Sequence, residues 1–141
     1  MSRPAIFLDR DGVIIENRDQ YVRSWADVEI FPQAVEALAG IRNSDYCIVL
    51  VTNQSAVGRG IITRETADAI NHDLVAVIHE AGGRVDAVYM CPHAPDEGCS
   101  CRKPLPGLLL RAAEELDLNL GSSVMIGDAL TDIQAGQAAG V

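Results

Sequence analysis

Two aspartates, Asp9 and Asp11, follow an apolar run near the start of the chain. Alternate residues of an extended chain point to the same side, so the two carboxylates concentrate negative charge, which is costly unless a cation neutralises it. A third carboxylate, Asp128, ends another apolar run. Carboxylate ligands and a bound phosphate favour Mg²⁺, and one aspartate could then attack phosphorus while the other handles the leaving group's proton. Taken singly, each aspartate is equally well explained as a cap of the following turn.

A second group of chemically capable side chains lies in the run CPHAPDEGCSCRKP, residues 91–104. Its candidate ligands are Cys91, His93, Cys99 and Cys101. Thiolates with an imidazole suit tetrahedral zinc, and four protein ligands leave no open position, so we expect a structural site. Three free thiols, or a disulfide with a spare thiol, are the alternatives. Zinc would fix the loop and the two cations directly after it, Arg102 and Lys103.

The remaining cysteine and the other two histidines have ordinary structural explanations. Cys47 stands at the start of an apolar run and is expected in the core. His72 and His79 are seven residues apart on a predicted helix, where surface or packing roles are expected.

The elements that must position these residues follow an α/β pattern. Apolar, β-branched runs predict buried parallel strands at 5–9, 47–53, 85–91 and 123–128. Amphipathic stretches between them predict helices at about 33–42, 63–81, 106–117 and 130–139. Thr63 can cap the second helix, and Pro106 suits the first turn of the third. We expect a three-layer Rossmann-like sheet with helices on both faces, a short flap, and no large cap domain.

Polar residues at the ends of the strands should converge on one crevice, because ligands of open parallel sheets bind at the carboxyl ends of strands. Thr52 and Asn53 end the second strand and join the aspartates there. Residues 12–31 lack periodicity and are interpreted as a flap over the crevice. Candidate substrate contacts in the flap, each with the alternative of a solvated loop role, are Asn17, Arg18 and Tyr21.

Four segments together resemble the motifs of the haloacid dehalogenase (HAD) superfamily, in that family's order. They are FLDRDGVI (7–14), VTN (51–53), Lys103 and IGDALTD (126–132). The resemblance implies that Asp9 is a nucleophile forming an aspartyl-phosphate and that Asp11 is general acid, then general base. It implies Mg²⁺ held by Asp9, Asp128 and the backbone carbonyl of Asp11, with Thr52, Asn53 and Lys103 around the phosphoryl oxygens. Asp132 is expected in a supporting role, orienting the metal site or capping its helix.

Within the superfamily, DRDG with this cysteine loop resembles the branch of heptose 1,7-bisphosphate phosphatases and histidinol-phosphate phosphatases. The stretches QYVRSWADVEIFPQAVEAL and TNQSAVGRGIIT are similar to the heptose enzymes, in which an Arg at the position of Arg59 belongs to the substrate-facing loop. The five-residue spacing between His93 and Cys99, and TDIQ, are closer to the histidinol-phosphate group. We favour the heptose bisphosphate, whose second phosphate Arg59 and Arg102 could meet; either Arg could instead be a surface charge.

Composition and charge limit which other classes of function the chain could have. The chain has 141 residues and a formal net charge of −9. That length suits one domain, and that charge makes nucleic acid an unfavourable partner, which argues against the polynucleotide 3′-phosphatase branch. The start of the chain has neither a signal-peptide apolar region nor a membrane span, so the cytoplasm is the expected location. A non-catalytic zinc-stabilised scaffold is disfavoured by the clustered carboxylates.

The end of the sequence departs from the HAD pattern, because family members usually continue with another strand and helix after the fourth motif. Without that strand, the run at 123–128 would lie at the sheet edge, where unpaired backbone groups favour association. We therefore expect a monomer with the capacity to associate through this edge, and a longer natural polypeptide or completion by another chain.

Overall fold

A computed structural model describes residues 2–141. Its centre is a four-stranded sheet in the order β3, β2, β1, β4, in which all three neighbouring pairs are parallel. The strands are β1 (Ala5–Leu8), β2 (Cys47–Asn53), β3 (Ala87–Cys91) and β4 (Val124–Ile126). The register pairs Ala5 with Cys47 and Leu8 with Leu50, so β1 and β2 end at the same edge of the sheet.

Five helices connect and cover the strands within the described residues. They are α1 (Pro32–Gly40), α2 (Ser55–Gly58), α3 (Arg64–Glu80), α4 (Gly107–Leu116) and α5 (Leu130–Ala139), with 3-10 turns at Trp25–Asp27 and Leu120–Ser122. Thr63 caps α3 by accepting a hydrogen bond from the backbone N–H of Thr66. Pro106 lies immediately before α4 rather than in its first turn.

The alternation of side chains along β2 divides the core into two layers. Val49 and Val51 pack with Leu109 of α4 on one face. Ile48 and Leu50 pack with helix α3 and with α1 on the other face. Helices therefore cover both faces, and the expected three-layer arrangement is confirmed.

The prediction of four buried strands was wrong for the two outer ones. β1 and β2 are almost wholly buried, whereas β3 is mostly half-buried and Val124 and Ile126 of β4 are 44% and 47% exposed. A sheet of four strands has two edges, and apolar composition cannot tell an edge strand from a central one. The expected place of β4 at an edge is confirmed; association through that edge stays a prediction.

The segment 12–31, interpreted as a flap, packs against the core. Ile14, Ile15 and Val22 are buried in the layer that contains α1 and α3. Isolated bridges join Ile15 to Asp11 and to Ile30. Within the described residues, no helix is long and apolar enough to cross a membrane.

Candidate active site

A cleft of about 250 Å³ lies at the carboxyl ends of the strands. It is lined by Asp9, Asp11, Asn17, Thr52, Asn53, Lys103, Asp128, Ala129, Thr131 and Asp132. The structure therefore brings the three predicted carboxylates and the three predicted phosphate-binding residues Thr52, Asn53 and Lys103 to one place. Topology explains this convergence, because three parallel strands deliver their terminal residues to the same edge.

Three of the four carboxylates that line the cleft lie close together. One oxygen each of Asp9, Asp128 and Asp132 lies within 4.8 Å of the others. Burial raises the pKa of Asp9 to about 6, against the opposing effect of the Lys103 ammonium. Clustered hard oxygen donors of this kind fit Mg²⁺, which favours their ionised forms.

Lys103 compensates part of this negative charge. Its ammonium is 2.9 Å from an oxygen of Asp9, 2.5 Å from an oxygen of Asp132, and 3.0 Å from the carbonyl oxygen of Val51. These contacts use all three N–H donors of a residue that is only 4% exposed. Lys103 is thus tied to Asp9 and Asp132 before any ligand arrives.

Asp132 and Asp128 differ in how free their oxygens are. One oxygen of the buried Asp132 accepts from Lys103, and the other accepts from the backbone N–H of Ala129 at the start of α5. Among residues 2–141, the exposed Asp128 accepts a hydrogen bond only from the side-chain amide of Asn17, at 3.1 Å. The oxygens of Asp128 are therefore the freer ones, and direct ligation by Asp128 with Asp132 in support stays a prediction.

Gly12 lets the chain turn directly beneath Asp128. Its φ is +85°, and a Cβ placed there would lie 1.9 Å from an oxygen of Asp128 and 2.7 Å from the amide nitrogen of Asn17. The close approach of the flap to Asp128, the predicted metal ligand, therefore depends on the absence of a side chain at Gly12.

Asn53 connects the cysteine-rich loop, residues 91–104, to the end of β2. Its side-chain oxygen accepts from the backbone N–H of Lys103 at 3.1 Å, and its nitrogen donates to the Lys103 carbonyl at 3.2 Å. One amide N–H remains for a ligand, so the predicted contact with phosphate and this structural contact are compatible.

The predicted zinc ligands also converge. The ligand atoms of Cys91, His93, Cys99 and Cys101 all lie within 4.8 Å of one another. All four cysteines are free thiols, so the disulfide alternative is not what the structure contains. Burial, with a contact from Cys101, raises the pKa of the Cys91 thiol to about 12. Such a thiol needs a cation to ionise, and three sulfurs with one imidazole nitrogen fit zinc.

The two predicted arginines lie outside the cleft. Arg59 is exposed directly after α2. Arg102 lines an adjoining cavity of about 290 Å³ that shares Lys103 with the cleft. Its Nη1 is buried and has no hydrogen-bond partner in the part of the chain that the structure describes. In the flap, Arg18 bonds to Glu29 and to the carbonyl of Asp27, while Tyr21 is half-buried with φ of +67°. Only Asn17 among the three flap candidates lines the cleft.

The other assignments can be placed as well. Cys47 is fully buried, as expected. His72 is exposed on α3, and His79 accepts from the backbone N–H of Val85 at 3.0 Å, which is the packing role expected of it.

Sequence reasoning missed Arg10, which stands between the two motif aspartates and is only 1% exposed. It bonds to Asp11, Gln54 and Asn71. A signal existed, because Arg10 stands between two aspartates that were both predicted to line the cleft. A charged side chain there requires buried partners.

Comparison with known proteins agrees with this geometry. Residues 26–140 match the model of the haloacid dehalogenase-like hydrolases, and the chain belongs to that family. It is 42% identical to the D-glycero-beta-D-manno-heptose-1,7-bisphosphate 7-phosphatase of Bordetella bronchiseptica, over 96% of this chain and 75% of that one. It is 36% identical to the enzyme of that name from Pseudomonas aeruginosa, over 98% of this chain and 78% of that one.

Solved structures give the same relationship. The crystal structure of the D,D-heptose 1,7-bisphosphate phosphatase of B. bronchiseptica, complexed with magnesium and phosphate, superposes with a TM-score of 0.92. It is 41% identical, over 97% of this chain and 76% of that one. A HAD-like phosphatase from Mesorhizobium loti superposes with a TM-score of 0.91 at 36% identity, over 99% and 69% of the two chains. The expected HAD-like fold is confirmed.

Proposed function

We propose that this protein is a Mg²⁺-dependent phosphomonoesterase that removes the 7-phosphate of D-glycero-D-manno-heptose 1,7-bisphosphate. The observation that carries the proposal is the cleft in which Asp9, Asp11, Thr52, Lys103 and Asp128 meet at the ends of three parallel strands. The heptose substrate is supported by the names of the relatives in B. bronchiseptica and P. aeruginosa. The magnesium is supported by the B. bronchiseptica complex and by the carboxylate cluster.

In the proposed reaction, an oxygen of Asp9 attacks phosphorus and forms an aspartyl-phosphate. Asp11 gives a proton to the departing sugar oxygen as the P–O bond breaks, and then takes a proton from the water that hydrolyses the intermediate. Bound Mg²⁺, held by Asp9, Asp128 and the backbone carbonyl of Asp11, would neutralise charge on the phosphoryl oxygens.

The phosphoryl group needs donors around its equatorial oxygens. Thr52 supplies a hydroxyl, Asn53 its remaining amide N–H, and Lys103 an ammonium that also keeps Asp9 in place. Lys103 must share its existing contacts with the phosphoryl group to do so.

The second phosphate of a bisphosphate requires a cation beyond the reacting centre. Arg102 is the better candidate, because its Nη1 is buried and unpartnered in a cavity that adjoins the cleft. Arg59 lies on an exposed turn and contributes only if it reaches bound substrate. A buried guanidinium nitrogen without a partner favours an anionic ligand at this place.

Zinc is proposed as the structural ion of the 91–104 loop. Its four ligands hold the segment that leads directly to Arg102 and Lys103, so the ion supports the site without touching the substrate. Removal of zinc should therefore weaken catalysis indirectly.

Phosphate release tests the proposal. Heptose 1,7-bisphosphate and histidinol phosphate are compared side by side, with and without Mg²⁺, with Asp9→Asn as the blank. The expected result is Mg²⁺-dependent release that favours the bisphosphate and is absent from the blank. Preference for histidinol phosphate would replace the substrate assignment, and no release from either by folded, zinc-loaded protein would overturn both.

A further inference from the structure

The buried guanidinium of Arg10 connects two cleft residues, Asp11 in the turn after β1 and Thr52 on β2. Its Nε is 2.7 Å from one oxygen of Asp11, and its Nη2 is 3.4 Å from the other. Nη2 also lies 2.9 Å from the side-chain oxygen of Gln54, whose amide nitrogen lies 2.7 Å from the hydroxyl of Thr52. An unbroken chain of contacts therefore runs from Asp11 through Arg10 and Gln54 to Thr52.

The chain of contacts has a fixed direction because arginine can only donate hydrogen bonds. The oxygen of Gln54 must face Arg10, so its NH₂ group must face Thr52 and donate to the hydroxyl oxygen. The Thr52 hydroxyl is thereby made an acceptor from the protein, and its own proton is left to be donated elsewhere. Thr52 lines the cleft, where a phosphoryl oxygen is the acceptor that the proposed function supplies.

The same guanidinium restrains Asp11. Contacts from two guanidinium nitrogens to the two carboxylate oxygens fix the rotation of the carboxylate as well as its position. Asn71 of α3 holds the far side of Arg10, with its oxygen 2.8 Å from Nη1. Burial of Arg10, Gln54, Asn71 and Thr52 at 1–6% exposure leaves water little opportunity to substitute for any partner.

We propose that Arg10 is a positioning residue, which aims the Asp11 carboxyl group at the leaving oxygen and, through Gln54, turns the Thr52 hydroxyl into a donor for the phosphoryl group. This inference rests on the proposed phosphatase function. The contacts from Arg10 to Asp11, here called the Asp11 arm, concern the leaving group. The contacts from Arg10 through Gln54 to Thr52, here called the Thr52 arm, concern the phosphoryl group that is common to all substrates.

The leaving-group test addresses the Asp11 arm. Values of kcat/KM, which report on steps up to departure of the leaving group, are measured for heptose 1,7-bisphosphate and for p-nitrophenyl phosphate. The sugar alkoxide needs a proton and the nitrophenolate does not. Arg10→Met should lower kcat/KM for the sugar by at least about 10-fold more than for the nitrophenyl ester, as general-acid contributions of about 10²–10⁴-fold allow. Arg10→Lys should recover part of the difference, and Arg64→Met on the surface of α3 is the control.

The polarity test addresses the Thr52 arm. Gln54→Glu keeps the shape and the contact with Arg10 but removes the N–H that faces Thr52, so the hydroxyl must donate to the new carboxylate. We expect Gln54→Glu to reduce kcat/KM equally for both substrates and to about the extent of Thr52→Val. The double variant should lose little more than either single variant, because both remove one interaction.

The outcomes separate the inference from the function on which it rests. Equal losses for the two substrates in folded Arg10→Met, or additive losses in the Gln54→Glu, Thr52→Val pair, would overturn the positioning role. If Arg10→Met shows no cooperative unfolding transition, and is therefore not properly folded, the double-mutant cycle of Gln54→Glu and Thr52→Val decides alone. Absence of phosphate release by the parent protein from either compound would instead overturn the proposed function.

Discussion

The side-chain amide of Asn53 makes two hydrogen bonds to the backbone of Lys103. Its oxygen accepts from the Lys103 N–H at 3.1 Å, and its nitrogen donates to the Lys103 carbonyl oxygen at 3.2 Å. These two hydrogen bonds join the end of β2 to the cysteine-rich loop. They place the Lys103 side chain between Asp9 and Asp132, so the position of the loop and the charge balance of the cleft are coupled.

Substitution of Asn53 tests this coupling. Asn53→Asp retains the acceptor for the Lys103 N–H but loses the donor to its carbonyl and adds a charge beside the phosphate site. We expect kcat/KM to fall by about 10-fold or more, in line with one lost interaction of 1.4 kcal/mol or more, with zinc content unchanged. Asn43→Asp, on an exposed turn, is the matched control for added charge, and an equal loss in both would contradict the coupling.

Loss of a zinc ligand should affect the cleft from a distance. Cys99→Ala is expected to lower bound zinc, measured by elemental analysis, and to lower kcat because Lys103 is no longer held firmly. Cys47→Ala removes a buried thiol outside the cluster and should keep its zinc. Full activity of zinc-free Cys99→Ala would contradict the proposed support of the site by the loop.

Loss of the proton from Asp9 should make the metal-free protein less stable as the pH rises. The pKa of Asp9 is raised from 3.8 to about 6, mainly by burial. The folded state therefore binds this proton more tightly than the unfolded state. The associated stability is present below pH 3.8 and is lost as the pH passes through about 6, by about 3 kcal/mol.

Unfolding by urea in Mg²⁺-free buffer measures this effect. The free energy of unfolding of Asp9→Asn is compared with that of the parent protein at each pH, so that contributions from the other titrating groups cancel. We expect the variant to gain in relative stability between pH 4 and 7. Saturating Mg²⁺ should make the parent protein the more stable of the two, since only the parent has all its predicted metal ligands. A difference that does not change with pH would refute the raised pKa.

Gly12→Ala should impair metal binding more than it impairs folding. Both this change and Gly140→Ala place a side chain at a positive φ, which costs about 1–2 kcal/mol per residue. Only the Cβ at position 12 meets Asp128, whereas the one at Gly140 meets nothing. Mg²⁺ affinity, measured by thermal stabilisation, should therefore fall in Gly12→Ala and persist in Gly140→Ala.

The sequence predicts the fold and the participants in the site well, because alternating apolar runs and strand-end carboxylates have few other arrangements. Asp9, Asp128 and Lys103 converge as expected, as do the four cysteine-loop ligands. Assignment of metals and catalytic roles to these residues stays a prediction, as do the one-domain organisation, the cytoplasmic location and the monomeric state.

The parts that escaped prediction depend on three-dimensional pairing. Periodicity gives no strand order, so the exposure of β3 could not be foreseen, and the edge position of β4 was expected only because the family's following strand is missing. The partners of Arg10 come from the turn after β1, from α3 and from the residue after β2, and the most distant of them is 61 residues from Arg10 along the chain. Likewise, nothing in the residues 54–60 indicates whether Arg59 points toward the cleft or into solvent.

Covalent catalysis by Asp9 is the central claim, and trapping of the phosphoenzyme tests it most directly. The protein is mixed with heptose 1,7-bisphosphate and Mg²⁺, quenched in acid within the first turnover, digested and analysed by mass spectrometry. The account predicts one added phosphoryl group on the peptide that contains Asp9, absent from Asp9→Asn. Rapid phosphate release with no phosphoryl group on that peptide, or with the group on another residue, would contradict it.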